Sequence, residues 1–134
     1  MATVREVVAI LDAAYPPALA ADWDAVGLVC GDPGAEVRCI LLAVDPVATV
    51  VDEAIEIDAQ LIITHHPLYL RGVTSVAATD AKGTLVHRLI SHDIALFTAH
   101  TNADRANPGV SDALAVTLDR KSTRLNSSHA NISY

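Results

Sequence analysis

Two cysteines, one phenylalanine, one tryptophan and three tyrosines are all that these 134 residues hold of those types. Cys30 and Cys39 are too few and too unpatterned for a disulfide framework or a thiolate zinc site, and read best as small buried apolar residues. Basic residues are also scarce. Nine Lys+Arg stand against sixteen Asp+Glu, for a formal net charge of −7. A chain that coats nucleic acid needs a basic stripe to neutralise phosphates, so no nucleic-acid partner is expected. No apolar run approaches the roughly 18 residues that cross a bilayer, so no membrane partner is expected either. The opening Met1-Ala2-Thr3-Val4-Arg5-Glu6 carries a charge pair and no apolar segment after it, unlike a signal peptide. The expectation is a soluble, cytoplasmic protein.

What is present is aliphatic. The chain is 51% hydrophobic, mostly Ala, Val, Leu and Ile, which excludes intrinsic disorder of the body. Its length suits one domain that buries about two-thirds of its unfolded surface. Charge is uneven along it: residues 1–118 hold six basic and fifteen acidic side chains, residues 119–134 three and one. The composition changes at the same point. Residues 119–134 have no helical or strand period and are expected to be a disordered, non-native tail.

Over residues 1–118, helix-period segments alternate with short apolar runs. Val4, Val7, Val8 and Leu11 predict an amphipathic helix that stops before Pro16-Pro17. Val26 to Cys30 and Val37 to Val44 predict strands. Asp45-Pro46 predicts a helix start, with Asp45 as N-cap. Leu61 to Thr64 predicts a buried strand, Lys82 to Ser91 a helix, Ile94 to Ala99 a strand and Val110 to Leu118 a last helix. Strands that are continuous apolar runs are buried on both faces. The predicted fold class is therefore α/β, a parallel or mostly parallel sheet with helices on both faces in βαβαβα order.

In such a sheet the ligand site lies beyond the carboxyl ends of the strands. Two strands end in metal-capable residues: Thr64-His65-His66-Pro67 and Ala99-His100-Thr101-Asn102-Ala103-Asp104. If the strands are neighbours, three imidazoles and a carboxylate meet at one sheet edge, a mixed donor set suited to Zn, Mn, Fe or Ni. Adjacent residues on an extended chain point to opposite sides, so His65 and His66 are expected to serve two different ions, or one to bind an ion while the other orients something. The plainer alternative is a pair of hydrogen-bonded loop histidines. His87 and His92 read as helix-surface residues. Asp22 and Asp24 read as a ligand pair or, more simply, as turn carboxylates beside a half-buried Trp23. Lys82, at a helix start, can meet an anion or simply be solvated. Asp52, Glu53, Glu56 and Asp58 read as a solvated helix face.

These residues resemble the GTP cyclohydrolase 1 type 2 homologue family, the Nif-three-like proteins with a dinuclear metal centre. The matching pieces are Asp22-Trp23-Asp24-Ala25-Val26-Gly27-Leu28, Leu61 to Leu68 (LIITHHPL), Thr79-Asp80-Ala81-Lys82-Gly83, and His100-Thr101-Asn102-Ala103-Asp104 with Gly109 to Leu114 after it. They occur in order and cover essentially all of residues 1–118. The resemblance implies two divalent metal ions (Zn, Mn, Fe or Ni), with His65, His66 and Asp104 as metal ligands and His65 and His66 on different ions. It places His100 near them, either behind the ligands or in proton transfer; as a catalytic residue it would move protons. It implies a homo-oligomer, a toroidal hexamer with sites facing an inner cavity, and a small-molecule substrate. Family members are longer. Their C-terminal half supplies another His and a Glu four residues on; here Ser133 stands at that spacing from His129. The chain thus resembles the N-terminal half of a larger family fold. The leading expectation is a metal-dependent hydrolase acting on a nucleotide or phosphoester. The rival expectations are a non-catalytic metal-binding scaffold or regulatory ring protein, and a non-functional fragment.

Overall fold

A computed structural model describes residues 1–118; the expectation for 119–134 lies outside the described residues. A four-stranded sheet organises the chain. Its strands are β2 (Gly27–Cys30), β4 (Ile40–Ala43), β5 (Leu61–Thr64) and β6 (Ala95–Thr98), in the spatial order β2-β6-β5-β4. The three strands β4, β5 and β6 run parallel, and β2 closes one edge antiparallel to β6. A two-stranded antiparallel ribbon, β1 (Ala2–Thr3) with β3 (Glu36–Val37), stands apart from it. The mostly parallel α/β class expected from the apolar runs is the class observed.

Parallel strands need crossovers, and helices supply them. Helix α2 (Ala48–Glu56) links β4 to β5, and α3 (Ala81–Ser91) links β5 to β6. Both pack on one face of the sheet, where Val51, Ala54, Leu85, Val86 and Leu89 meet Ile62 and Leu96. Helix α1 (Val4–Ala14) covers the other face, with Val4, Val7, Val8 and Leu11 against Leu61, Ala95 and Phe97. Alternate residues of β5 and β6 thus enter two different cores, as strand geometry requires. Helix α1 begins with a reciprocal cap: the Glu6 N–H donates to Thr3 Oγ1 at 3.3 Å and the Thr3 N–H to Glu6 Oε2 at 2.8 Å. Where the chain leaves β2, Gly31 has φ +109° and its absent Cβ would sit 2.5 Å from Ala95 Cβ, so only glycine fits.

Two expected elements differ. The single run Val37 to Val44 is broken between β3 and β4. The Gln60 side chain accepts from the N–H groups of Arg38 (3.0 Å) and Cys39 (3.1 Å), which turns the chain from one sheet to the other. Helix α2 starts later than expected, with Val47 and not Asp45 at the N-cap. A short helix that the apolar period did not predict, α4 (Thr101–Arg105), comes directly after β6, and α5 (Val110–Thr117) packs beside it. On β4 the residues facing the α1 side are open: Ile40 is 39% and Leu42 71% exposed. Among the described residues, no helix is long and apolar enough to cross a membrane.

Phe97 is 1% exposed on the central strand β6. We expect Phe97→Ala to cost about 3–5 kcal/mol of folding stability, read as a lowered denaturant midpoint with little change in slope.

Candidate metal centre

The parallel register pairs Thr64 of β5 with Thr98 of β6. Both strands therefore end at the same level, and their C-terminal loops emerge together at one sheet edge. The threonines are 1% and 0% exposed, with hydroxyls 3.4 Å apart beneath the loops. The chain after β5 stays tied down: the His65 N–H donates to the Ala43 carbonyl at 3.2 Å and the His66 N–H to the Val44 carbonyl at 2.8 Å. Thr64 Oγ1 donates to the His66 carbonyl at 2.9 Å. Residues 65 and 66 form a bend and are no longer strand, so strand alternation does not govern them. Their rings lie on one side, with centroids 5.2 Å apart. His100 joins them from β6, at 5.1 Å from His65 and 5.6 Å from His66. One ligand atom from each of His65, His66 and His100 lies within 4.8 Å of the others, and the three can hold a metal ion. Asp104, in the single turn of α4, places Oδ2 3.7 Å from His65 Nε2.

Each imidazole has its Nδ1 engaged. That of His65 is 3.0 Å from the Ala99 carbonyl, that of His66 2.7 Å from Asp45 Oδ1, and that of His100 2.9 Å from Asp24 Oδ1. A carbonyl or carboxylate only accepts, so each Nδ1 carries the hydrogen. The Nε2 lone pair is then left for a ligand, the tautomer that metal-bound histidines show when an outer acceptor orients them. Three imidazoles and a carboxylate suit a divalent transition metal in charge and softness.

Asp24 is the hub beneath His100. Its side chain is fully buried, and that of His100 is 16% exposed. It accepts from the Thr101 hydroxyl, from the Thr101 N–H at 3.0 Å and from the Ala25 N–H at 2.8 Å. Burial works against its ionisation, but the bonds from Thr101, His100 and Ala25 outweigh it and hold its carboxyl below the usual aspartate range. Asn102, 1% exposed, fastens the loop on both sides: its Oδ1 accepts from the His100 N–H at 2.9 Å and its Nδ2 donates to the Tyr15 carbonyl at 2.8 Å. Trp23 is 60% exposed, not half-buried, with its ring edge-on to His100 at 6.0 Å.

Asp24 and Asp45 are the site residues that sequence reasoning misses. By local pattern Asp24 is a turn carboxylate and Asp45 a helix cap. A usable signal exists for Asp45, since it lies just past the end of parallel strand β4 as His65 and His100 lie just past theirs. His87 and His92 are exposed on or beside α3 and stay out of the cluster.

Because the folded-state pKa of Asp24 is lowered, its contribution to stability is present above the unfolded aspartate value and is lost as pH falls through the folded value. We expect Asp24→Asn to flatten the acid limb of a stability–pH profile below about pH 4, and to weaken the fold at neutral pH by about 1–3 kcal/mol. Equal acid slopes for variant and parent would contradict this.

Comparison with known proteins places the chain in a family. Residues 2–132 match the model of a family described as Duf34/NIF3 (NGG1p interacting factor 3). A GTP cyclohydrolase 1 type 2 homolog of Streptomyces coelicolor is 59% identical over 119 residues, which cover 89% of this chain and 42% of that protein. One of Mycobacterium tuberculosis is 59% identical over 112 residues, 84% of this chain and 29% of that protein. This chain thus spans less than half the length of these relatives. Among solved structures, a Bacillus cereus protein related to NIF3 superposes with TM-score 0.82 at 38% identity, covering 89% of this chain and 33% of that one. Reduced HcgD from Methanocaldococcus jannaschii gives 0.80 at 29% identity, covering 88% and 47%. With the family match spanning nearly its whole length, this chain belongs to the Duf34/NIF3 family.

Proposed function

We propose that this chain carries the imidazole-rich part of a dinuclear divalent-metal centre, and that the protein is a metal-dependent hydrolase of a nucleotide or phosphoester. The observation that supports it is the common orientation of three histidines, each with Nδ1 bound to an acceptor and its other nitrogen left for a ligand. When bound, such ions polarise an electrophile and lower the pKa of bound water towards about 7. His65, His66 and Asp104 would hold them. Asp45 orients the His66 ring and makes it a better donor. His100 lies close enough to carry a proton at Nε2, and the Asp24 carboxylate beneath it holds the ring at Nδ1. Zn, Mn, Fe and Ni all suit this donor set. A cytoplasmic location and a hexamer with its sites facing an inner cavity belong to the same proposal. The names of the relatives mention GTP cyclohydrolase, which gives guanine nucleotides a place in any substrate panel.

The test is elemental analysis of the purified chain. We expect one to two metal ions per chain, less in His65→Ala and His66→Ala. We expect Asp45→Ala to weaken metal affinity by about 10–100-fold. A ratio near zero in the parent chain would show that these residues do not suffice. In a nucleotide and phosphoester panel, His100→Ala should lose turnover while it keeps its metal. Metal-loaded protein that turns over nothing in the panel would leave a metal-binding scaffold and sink the hydrolase.

A further inference from the structure

One cavity adjoins the cluster at Asp45, and a second lies next to it along the connection from β5 to α3. The inner one, about 470 Å³, lies between the starts of α2 and α3, with Pro46, Val47, Pro67, Leu68 and Leu85 as apolar walls. Asp45, whose carboxylate holds His66, is also part of its wall. The outer one, about 560 Å³, has a mixed lining, with Arg71, Ser75 and Asp80 beside Tyr69, Leu70 and Val73. Ala81 and Lys82 line both, so the two are neighbours. Exposure differs within the cluster: the side chains are 16% exposed at His100, 27% at His65 and 47% at His66. The most open of the three, His66, is the one held by Asp45, and Asp45 lines the inner cavity.

Charge is placed against the average of the chain. Of the six basic side chains in residues 1–118, Arg71, Lys82 and Arg88 line these two cavities. Arg88 is paired with Asp52. Lys82 Nζ donates once, to the Leu68 carbonyl at 2.6 Å, and sits 5.4 Å from the centre of the Tyr69 ring. An ammonium has three donors, so two remain. Arg71 has no hydrogen-bond or ion-pair partner among the described residues. The nearby carboxylates are not paired with these cations among the described residues: Asp80, in the lining of the outer cavity, accepts at Oδ1 from the Gly83 N–H as the cap of α3, and Asp45 bonds His66. The outer cavity thus offers cations whose donors are unspent.

We propose that the two cavities form one substrate groove for a ligand with an apolar, ring-like body and an anionic end, of the nucleoside monophosphate class. The phosphate lies at Arg71 and Lys82, and the body fills the inner cavity beside Asp45. This deepens the proposed function and rests on it for treating the imidazole cluster as the reacting centre. In this placement the end nearest the imidazoles is the body, not the phosphate.

The probes are GMP, guanosine and inorganic phosphate, titrated calorimetrically into the chain with EDTA present and again after metal loading. GMP should bind in EDTA, and guanosine should bind at least about tenfold more weakly. Arg71→Ala should weaken GMP about tenfold, and Arg71→Lys should restore most of the loss. Val47→Trp, at a site 46% exposed, should weaken GMP by filling the inner cavity and leave phosphate binding unchanged. Failure of GMP to bind, equal affinity for guanosine and GMP, or an Arg71→Ala variant that binds like its parent would overturn the groove. Metal content of the same samples separates the two ideas. Metal without GMP binding sinks only the groove, and GMP binding without metal sinks only the metal centre.

Discussion

The register between β5 and β6 is the constraint on which the centre depends. Thr64 faces Thr98 across a parallel pair, so both strands stop together and their C-terminal loops start side by side. A shift by one residue would move every side chain of a strand to the opposite face. It would take Ile62 and Leu96 out of the core under α2 and α3, and Leu61 and Phe97 out of the core under α1. Two hydrophobic cores with opposite demands therefore hold the register. The histidines come into place as a consequence of that burial, and no contact among the rings themselves is needed to bring them together.

Direction is a separate problem from placement, and different elements solve it for each ring. The Ala99 carbonyl at the end of β6 aims His65, the Asp45 carboxylate after β4 aims His66, and Asp24 before β2 aims His100. All four strands of the main sheet thus contribute to one edge. The supports differ in burial. The His100–Asp24 pair is nearly closed to solvent, where a hydrogen-bonded carboxylate is worth more than in water. The His66–Asp45 pair is open. A closed, hydrogen-bonded pair suits a ring held in one orientation, and an open pair suits the side from which a ligand arrives.

The strands and the three histidines are legible in the sequence because each depends on local pattern. Continuous apolar runs mark β5 and β6, and a polar residue right after such a run marks the edge. The features that escape depend on partners far along the chain. The break between β3 and β4 is made by Gln60, 21 and 22 residues away from the N–H groups it binds. Asp24 acts on His100 and Thr101 across 76 and 77 residues. Asp45-Pro46 has the local chemistry of a helix start, yet the carboxylate bonds to His66 and the cap passes to Val47. A residue able to cap goes instead to the centre, as happens when a tertiary partner outweighs local propensity.

Asp45 also joins two surfaces that would otherwise be independent. One carboxylate oxygen fixes His66, and the same residue forms part of the wall of the inner cavity. A group in that cavity thus lies against the support of a candidate ligand, so filling the cavity and tuning the donor are physically linked. An acidic chain repels anions at long range. Arg71, Lys82 and Arg88, set along the two cavities, relieve that repulsion locally. The acidic surface and the cations of the proposed groove then act together: one discourages anions elsewhere, and the other admits them beside Asp45, the support of His66.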